Sequence, residues 1–389
     1  MSEPAASLDP GSARVVRELA PRVLSVLLAR GADFSSAEDA VAEALLQAVT
    51  TWAQDPPRDP QGWLVTTAWR RWVDGVRSAS ARTAREEALA LAPPPGDVPG
   101  TDDTLELYRL CAHPALSTAS AAALVLRAVG GLTTRQVADA FAVPEATMAQ
   151  RISRAKRTVR EQGLPPSGSL TSVLRALYLV FNEGHDGDVD LCEEAIRLAR
   201  ELHRRTADEE AAGLLALLLL HHARRPARTD EAGQLVPLDR QDRTRWRTDL
   251  AAEGVAVLQA ALARERRGEY QLQAAVAALH CDAATWEETD WPQVVAWYDD
   301  LVALTASPVH ALGRVVALGE AQGSAAGLAA LAAVPADVPR RVAVEARLRE
   351  AAGERAVAAN LYAEAARRAT RVRERDHLVR EAARLRQGR

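Results

Sequence analysis

Apolar and polar residues recur along most of the chain with the period of an α-helix. The clearest case lies in LTTRQVADAFAVPEATMAQRISRAKRTVRE, residues 132–161, where Met148, Ile152, Ala155 and Val159 are spaced at i, i+4, i+7 and i+11. This spacing puts four apolar side chains on one narrow face of a helix that follows the AVPE sequence. We expect that face to pack on the helices that precede it.

A shorter helix precedes that one, and a tight turn separates the two. Thr133 and Gln136 have the T-x-x-Q spacing of a capping box, and AVPE then interrupts the helical pattern. Two helices joined in this way indicate a helix-turn-helix, which places its second helix in the DNA major groove. The alternative is an amphipathic hairpin with a solvated basic face. On the DNA-binding interpretation, polar side chains meet base edges and arginines meet guanine or phosphate, and the candidates are Thr147, Gln150, Arg151, Arg154, Lys156 and Arg157.

Two stretches rich in proline and glycine divide the chain into three helical pieces. One linker is predicted at 92–104 and a shorter one lies just before residue 170, which leaves pieces at 10–91, 105–162 and 170–389. Ala, Leu, Val and Arg dominate the composition and aromatic residues make up only 4%, which favours helices over sheets. We therefore expect an all-α protein with two small helical domains and a long C-terminal helical region.

The N-terminal piece contains a helix with an acidic edge. In SSAEDAVAEALLQAVTTW, Ser35 or Ser36 is expected to cap a helix that buries its small apolar residues. The carboxylates of Glu38, Asp39 and Glu43 are expected to remain exposed.

Tryptophans and arginines are concentrated just after this helix. Four of the eight tryptophans fall within 21 residues and are interleaved with arginines, the whole set being Trp52, Trp63, Trp69, Arg70, Arg71, Trp72 and Arg77. Ring faces for stacking and cations for the backbone are what a protein needs to hold unstacked bases. We interpret Trp52 and Trp63 as core residues, and Trp69 and Trp72 as candidates for DNA contact.

Charge and composition limit the kind of partner that the chain can bind. The net charge of −4 is mild, so nucleic-acid contact must come from a local basic face. Lys156 is the only lysine, so the basic residues are almost all arginines, and an arginine is weaker evidence of selected base recognition here than elsewhere. Three distant cysteines argue against a disulfide framework, and no secretory signal or bilayer-spanning run is present. We expect a soluble, cytoplasmic protein without membrane contact.

Residues 10–162 together resemble an RNA polymerase sigma factor of the extracytoplasmic-function group of the sigma-70 family. The resemblance rests on SAEDAVAEALLQAVTTW, WLVTTAWRRWVDGVR and, most closely, LRAVGGLTTRQVADAFAVPEATMAQRISRAKR. It implies that the first domain binds core RNA polymerase and melts the −10 promoter element, while the helix-turn-helix domain binds the −35 element. The expected partners are therefore core polymerase and promoter DNA.

The resemblance also assigns roles to individual residues. It implies polymerase contacts at Glu38, Asp39 and Glu43, and −35 contacts at the six candidates on the second helix of the helix-turn-helix. The −10 contacts that it implies are Trp63, Trp69, Arg70, Arg71, Trp72, Asp74 and Arg77.

The chain continues well beyond the two domains of a minimal factor. ALYLVFNEGHDGDVDLCEEAIRLARELH, GEYQLQAAVAALH and DWPQVVAWYDDLVAL resemble the extended subgroup, whose C-terminal region contains tetratricopeptide-like helices. Gly323 and Gly353 end two similar segments thirty residues apart, which suggests stacked helix pairs in a solenoid-like domain. The resemblance suggests a regulatory role, with a regulatory protein or a ligand as the partner of this extension.

Several polar residues of the extension lie among apolar helical positions. Buried polar groups must be hydrogen-bonded, so these form either internal networks or a functional surface. EGHDGDVD lacks the glycine and closing glutamate of a calcium loop, and adjacent histidines on a helix point about 100° apart, so we expect no metal or cofactor. No catalytic motif is present, and we expect no enzyme. The candidates are Asn182, Glu183, His221, His222, Tyr270, Gln271, Gln273 and His280.

Two other functions remain compatible with the sequence. One is a stand-alone helix-turn-helix regulator with a ligand- or peptide-sensing helical repeat domain, which would bind duplex DNA without polymerase. The other is an interaction scaffold that binds no DNA. If the three pieces are modular, removing residues 170–389 will leave −35 binding intact.

Overall fold

The computed structural model describes residues 10–52, 56–79, 104–141, 143–162, 170–183 and 190–387, without the side chains of residues 10–18, 76–79 and 104. The described residues form 18 α-helices, three short 3-10 helices and one isolated bridge between Thr229 and Leu235. The expected all-α class is confirmed. The predicted linker at 92–104 lies outside the described residues except for its last position.

The chain divides into two compact units, Met1–Thr206 and Ala207–Arg389. The described helices of the first unit are α1 (Pro10–Ala29), α2 (Phe34–Thr51), α3 (Pro60–Ala79), α4 (Thr104–Cys111), α5 (Thr118–Ala128), α6 (Thr134–Ala140), α7 (Glu145–Gln162), α8 (Thr171–Glu183) and α9 (Leu191–Thr206).

Helices α1, α2 and α3 pack together through small and branched side chains. Leu27 from α1, Ala44 from α2 and Leu64 from α3 are all fully buried. The expected cap of α2 by Ser35 or Ser36 is wrong. Asp33 is the capping residue, and its carboxylate accepts hydrogen bonds from the backbone N–H groups of both serines. An aspartate one position before the helix satisfies two of the free N–H groups of the first turn.

The other six helices of the first unit include the first part of the predicted extension. α8 packs against α5 and α9, and α4 also contacts both α8 and α9. The hydroxyl of Tyr108 in α4, which is fully buried, donates a hydrogen bond of 3.2 Å to the carbonyl of Leu198 in α9. The boundary between compact units therefore falls at residues 206 and 207, and α8 and α9 share a core with the helix-turn-helix.

The second unit is a succession of helices that pack mainly on their neighbours in sequence. A stretch with three short 3-10 helices, Arg225–Ala227, Leu238–Arg240 and Arg243–Arg245, connects the first two α-helices. The α-helices are α10 (Glu209–Ala223), α11 (Thr248–Leu262), α12 (Glu269–Asp282), α13 (Trp291–Thr305), α14 (Pro308–Gln322), α15 (Ser324–Leu331), α16 (Arg341–Ala351), α17 (Arg355–Arg368) and α18 (Val372–Arg386).

Glycines mark two features of this second unit. Gly323 and Gly353 follow α14 and α16 with φ of +91° and +81°, a conformation that favours glycine, as the hairpin pattern predicts. Gly213 serves a different purpose, because a Cβ atom there would lie 2.6 Å from the backbone nitrogen of Gln271. A residue without a side chain lets α10 approach the start of α12 closely.

Candidate nucleic-acid interface

The start of α6, the first helix of the helix-turn-helix, is fixed by the capping box that the sequence predicts. The Thr133 hydroxyl accepts a hydrogen bond of 3.2 Å from the N–H of Gln136, and the Gln136 amide oxygen accepts one of 2.9 Å from the N–H of Thr133. These two bonds satisfy N–H groups at the start of α6 that no helical partner could reach. They set the direction in which α6 enters the domain, and α7 then packs across it.

Helix α7 separates an apolar face from a polar one, as expected. Met148, Ile152, Ala155 and Val159 are buried against the preceding helices. Of the six predicted −35 contacts, Arg151 and Lys156 are half-buried, and the exposed ones are Thr147, Gln150, Arg154 and Arg157.

A groove of about 340 Å³ runs along the basic side of α7. Four cationic side chains line it, and Ser35 from the start of α2 lines it as well. A basic groove on a helix of this kind attracts phosphate groups. The four cations are Arg154, Lys156, Arg157 and Arg160.

The acidic edge of α2 differs from the prediction at one position. Asp39 and Glu43 are exposed, but the expectation that Glu38 is exposed is wrong, because only 5% of its surface is accessible. Its carboxylate forms ion pairs with Arg127 in α5, at 3.0 Å, and with Lys156 in α7. Burial of a carboxylate is unfavourable unless cations compensate it, and here two cations do so.

Sequence reasoning did not identify Arg127 as part of this arrangement. It stands within ALVLRAV, an otherwise apolar stretch, and a charged residue there requires a partner. The same side chain donates a hydrogen bond of 3.1 Å to the carbonyl of Leu132, so it joins Glu38 to the turn before α6.

The two tryptophans expected to contact DNA are buried. Trp69 and Trp72 have ring centroids 4.9 Å apart, and Trp72 donates a hydrogen bond of 2.9 Å from Nε1 to the hydroxyl of Ser36. The guanidinium of Arg30 lies 5.7 Å from the centre of the Trp69 ring. In this structure the two rings join α3 to α2 and to the residue that follows α1, and their contact with DNA stays a prediction.

The interpretation of Trp52 and Trp63 as core holds for one of them. Trp52 is buried, whereas Trp63 is half-exposed and meets it edge to face with centroids 5.6 Å apart. Trp63 is therefore the most accessible of the four rings for a base.

The polar −10 candidates of α3 lie on its outer side. Arg70, Arg71 and Asp74 are exposed, while the side chain of Arg77 is outside the described part of the structure. Arg71 is turned toward α2, where it lies 3.8 Å from Glu43. This pair is exposed on both sides and contributes little stability, so either member is accessible to a partner.

The polar candidates of the extension are distributed over both units. Asn182 and Glu183 lie at the end of α8 in the first unit. Asn182 is half-buried there, and Glu183 is exposed. In the second unit the fully buried Gln271 donates from Nε2 to the carboxylate of Glu210, at 3.2 Å, and to the carbonyl of Arg266. Asn182 and Glu183 therefore belong to a different compact unit from the other candidates.

Glu210 organises the start of α12. Its carboxylate also accepts hydrogen bonds from the backbone nitrogens of Tyr270, at 2.9 Å, and Gln271, at 3.2 Å. Burial raises the pKa of Glu210, while these hydrogen bonds act in the opposite direction. Gln273 donates to Glu269 at 3.3 Å. For Gln271 and Gln273 the structure supports internal networks over a functional surface.

His280 belongs to an aromatic cluster at the end of α12. Its ring is parallel to that of Trp286, with centroids 5.8 Å apart, and meets Trp291 edge to face at 5.4 Å. Burial, followed by the charges of Arg224 and Arg243, lowers the pKa of His280 to about 4. The ring is therefore neutral near pH 7.

The adjacent histidines of α10 have a similar environment. His222 is buried and His221 is half-buried. Desolvation lowers the pKa of His221 well below its ordinary value, and the charge of Arg224 acts in the same direction.

Within the described ranges, no group of three or more His, Cys, Asp and Glu residues could hold a metal ion. None of the helices that the structure describes combines the length and hydropathy needed to cross a membrane.

Comparison with known proteins agrees with this organisation. Residues 15–82 match the model of Sigma-70 region 2, residues 110–159 match Sigma-70, region 4, and residues 169–262 match a family of unknown function, DUF6596. The first two matches cover α2 with α3 and the helix-turn-helix, respectively. The third covers α8, α9 and the beginning of the second unit.

Two relatives illustrate how far the similarity extends. An uncharacterized protein, R00370, of Rhizobium meliloti (strain 1021) is 40% identical over 336 residues, which are 79% of each chain. A probable ECF RNA polymerase sigma factor, SigI, of Mycobacterium tuberculosis is 28% identical over 144 residues, or 35% of this chain and 49% of its own length. No solved structure matches significantly. The chain belongs to the extracytoplasmic-function group of the sigma-70 family, in a form that carries a C-terminal extension.

Proposed function

We propose that this sigma factor joins core RNA polymerase, directs it to promoters with specific −10 and −35 elements, and is regulated by its C-terminal extension. The observation that supports the proposal best is α7, where the apolar stripe is buried and four polar or basic side chains of the opposite face are exposed. A helix with this division can lie in the major groove while its domain stays folded. The family acts as transcription initiation factors, so no catalytic group is required.

The same proposal assigns the polymerase contact to α2. Asp39 and Glu43 lie four residues apart on its exposed side, so they share one face of the helix. Leu46 is 69% exposed on the same helix, one turn beyond Glu43, and adds an apolar contact to this acidic face. Such a surface suits a partner that offers cations around an apolar centre.

Binding of core polymerase tests this assignment directly. Asp39→Asn and Glu43→Gln together should weaken the complex between the full chain and core polymerase and make it less sensitive to salt. Asp376→Asn with Glu231→Gln is a matched control, because it removes two exposed carboxylates from the second unit. Equal polymerase affinity of both double variants would refute the role of α2.

Regulation by the extension requires a second comparison. A chain ending at Thr206 keeps every described helix of the first unit and lacks the second. We expect its transcription activity with core polymerase to differ from that of the full chain while its affinity for isolated −35 duplex is retained. Identical transcription from the two chains would show that the second unit has no regulatory effect under those conditions.

A further inference from the structure

Two arginines of the second unit lie beside one buried tryptophan. Trp246 directly follows the third 3-10 helix and has 8% of its surface exposed. The guanidinium carbon of Arg243 lies 4.9 Å from the centre of the indole ring, and that of Arg224, directly after α10, lies 5.9 Å from it. The two cations therefore share one aromatic neighbour, and their charges repel each other.

Three N–H donors of these side chains have no acceptor. Arg224 Nε, Arg243 Nη2 and Trp246 Nε1 are inaccessible to solvent and have no hydrogen-bond partner among the described residues. Arg243 is otherwise held in place, because its Nη1 donates to the carbonyls of His280, at 2.6 Å, and Ala283, at 2.5 Å. The guanidinium of Arg224 forms no hydrogen bond or ion pair with any described residue. Buried donors without an acceptor are rare in native proteins, and each requires an explanation.

No carboxylate of the described residues neutralises these two arginines at close range. Burial, followed by the charges of Arg228 and Arg243, lowers the pKa of Arg224 to about 10, so the group is still a cation at pH 7. The carboxylates that act on Arg243 belong to Glu287 and Glu288, which are exposed, and neither forms an ion pair with it. A buried cation is unfavourable without an anion, and an indole ring compensates only part of its charge.

We propose that Arg224, Arg243 and Trp246 bind a phosphate group. A phosphate offers several acceptor oxygens and, as a monoester, a charge of about −1.5 to −2 near pH 7, so it can accept from all three donors and neutralise both guanidinium groups. Because the donor atoms have no free surface, the group reaches them only when the arginine side chains move, which favours a small ligand. The ligand is therefore free phosphate or the phosphate of a small monoester. This site is independent of the proposed polymerase and DNA contacts.

A phosphate at this place joins three segments of the second unit. Arg224 brings in the end of α10, and Arg243 brings in the third 3-10 helix and, through its hydrogen bonds to His280 and Ala283, the end of α12. A ligand that binds only the folded chain raises the unfolding temperature. We therefore expect phosphate to stabilise the chain more than chloride does at equal ionic strength.

Isothermal titration calorimetry of the full chain with inorganic phosphate, in a chloride buffer of constant ionic strength, tests the site. Arg224→Gln should weaken phosphate binding at least about tenfold, because a hydrogen bond to a charged group is worth more than the ~1.4 kcal/mol that this factor represents. Arg245→Gln is the matched control, because it removes an exposed arginine from the same 3-10 helix as Arg243, and it should bind phosphate like the wild type. The basic groove of α7 is unchanged in both variants, so phosphate bound there contributes equally to every titration.

The unfolding temperature distinguishes a binding role of Arg224 from a structural one. Because its guanidinium has no hydrogen bond to lose, Arg224→Gln should leave the unfolding temperature in chloride nearly unchanged and should abolish the increase that phosphate gives the wild type. Should Arg224→Gln fail to fold by circular dichroism, Arg224→Lys, which keeps the charge and loses the planar set of donors, should fold and bind phosphate more weakly than the wild type.

Methyl phosphate distinguishes the two sources of the group. Tighter binding of methyl phosphate than of inorganic phosphate would support a phosphorylated small molecule as the ligand, and the reverse order would support the free ion. Equal phosphate affinity of the wild type and a folded Arg224 variant would overturn the site. The same unfolding temperature of the wild type in phosphate and in chloride would overturn it as well. Neither measurement involves polymerase or DNA, so failure of the sigma-factor function would appear separately.

Discussion

The hydroxyl of Tyr108 in α4 donates a hydrogen bond to the carbonyl of Leu198 in α9, in a region where the tyrosine ring is fully buried. This bond joins α4, which lies two helices before α6, to the second helix of the C-terminal extension. Burial raises the pKa of Tyr108 far above its ordinary value, so the hydroxyl remains protonated and able to donate at any physiological pH. α8 and α9 are therefore part of the domain that carries α7, the helix proposed to bind the −35 element.

A consequence concerns where the chain can be shortened. A chain that ends at residue 169 loses α8 and α9 and exposes the apolar faces of α4 and α5, whereas one that ends at Thr206 keeps them covered. We expect the longer chain to be monomeric and to bind −35 duplex, and the shorter one to aggregate or to unfold at lower temperature. Size-exclusion chromatography and thermal unfolding of the two chains decide this. Equal stability of the two chains would instead support a domain boundary near residue 170, as the sequence predicts.

The Tyr108 hydrogen bond can be tested alone. Tyr108→Phe keeps the ring and removes the donor, while the Leu198 carbonyl, inside α9, keeps its helical N–H partner, so the cost is the net value of one hydrogen bond, about 0.5–1.5 kcal/mol. The unfolding free energy of the chain ending at Thr206 should fall by that amount in urea titrations. An unchanged midpoint would mean that α9 contributes nothing through this bond.

Arg154 and Arg160 should affect DNA binding in different ways. Arg154 is exposed on the outward face of α7, among the predicted base contacts, so Arg154→Ala should cost roughly 1–3 kcal/mol on the preferred −35 sequence and relax the preference at one base. Arg160 is close to the end of the helix, and Arg160→Ala should weaken all sequences equally and reduce the salt dependence. Selection from a promoter library, followed by salt titration, measures both. Retention of the full sequence preference in Arg154→Ala would argue against base contact.

The stability of the second unit should fall in mild acid. Because the pKa of folded His280 is about 4 and its ordinary value is 6.5, the unfolded chain binds a proton between these values that the folded chain does not. The contribution of His280 to the free energy of unfolding is fully present above pH 6.5. It decreases by about 1.4 kcal/mol for each pH unit as the pH drops toward 4. The lowered pKa of His221 acts in the same direction.

His280→Phe provides the comparison, because it keeps a ring beside Trp286 and removes the titrating group. Its unfolding transition, followed from pH 7.5 to 4.5, should show a smaller decrease in stability than the wild type. Parallel curves for the two proteins would show that His280 does not titrate in the way its environment indicates.

Local patterns allowed the helix-turn-helix to be predicted in detail. Thr133 and Gln136 form the capping box, and Met148, Ile152, Ala155 and Val159 are buried, because both features depend on residues close in sequence. Contacts between segments that are distant in the sequence could not be predicted in this way. Glu38 lies on the polar side of α2 by helical period, but Arg127 and Lys156, about 90 and 120 residues later, bury it.

The burial of the tryptophans could not be predicted from the sequence, for a related reason. Composition places rings beside arginines but does not say which side of α3 is covered by α1 and α2. The structure buries Trp69 and Trp72 and leaves Trp63 more open. Polar residues of the extension could be recognised as requiring partners, yet the partner of Gln271, Glu210, is 61 residues away and only the packing of α10 on α12 brings them together.

The decisive test of the sigma-factor function is transcription by core RNA polymerase on a pool of genomic promoter fragments, with and without the purified full-length chain. We expect transcripts that depend on the chain and whose start sites share elements at −10 and −35. Binding of the chain to duplex DNA with no association to core polymerase and no dependent transcripts would contradict it, and would favour a helix-turn-helix regulator that acts alone.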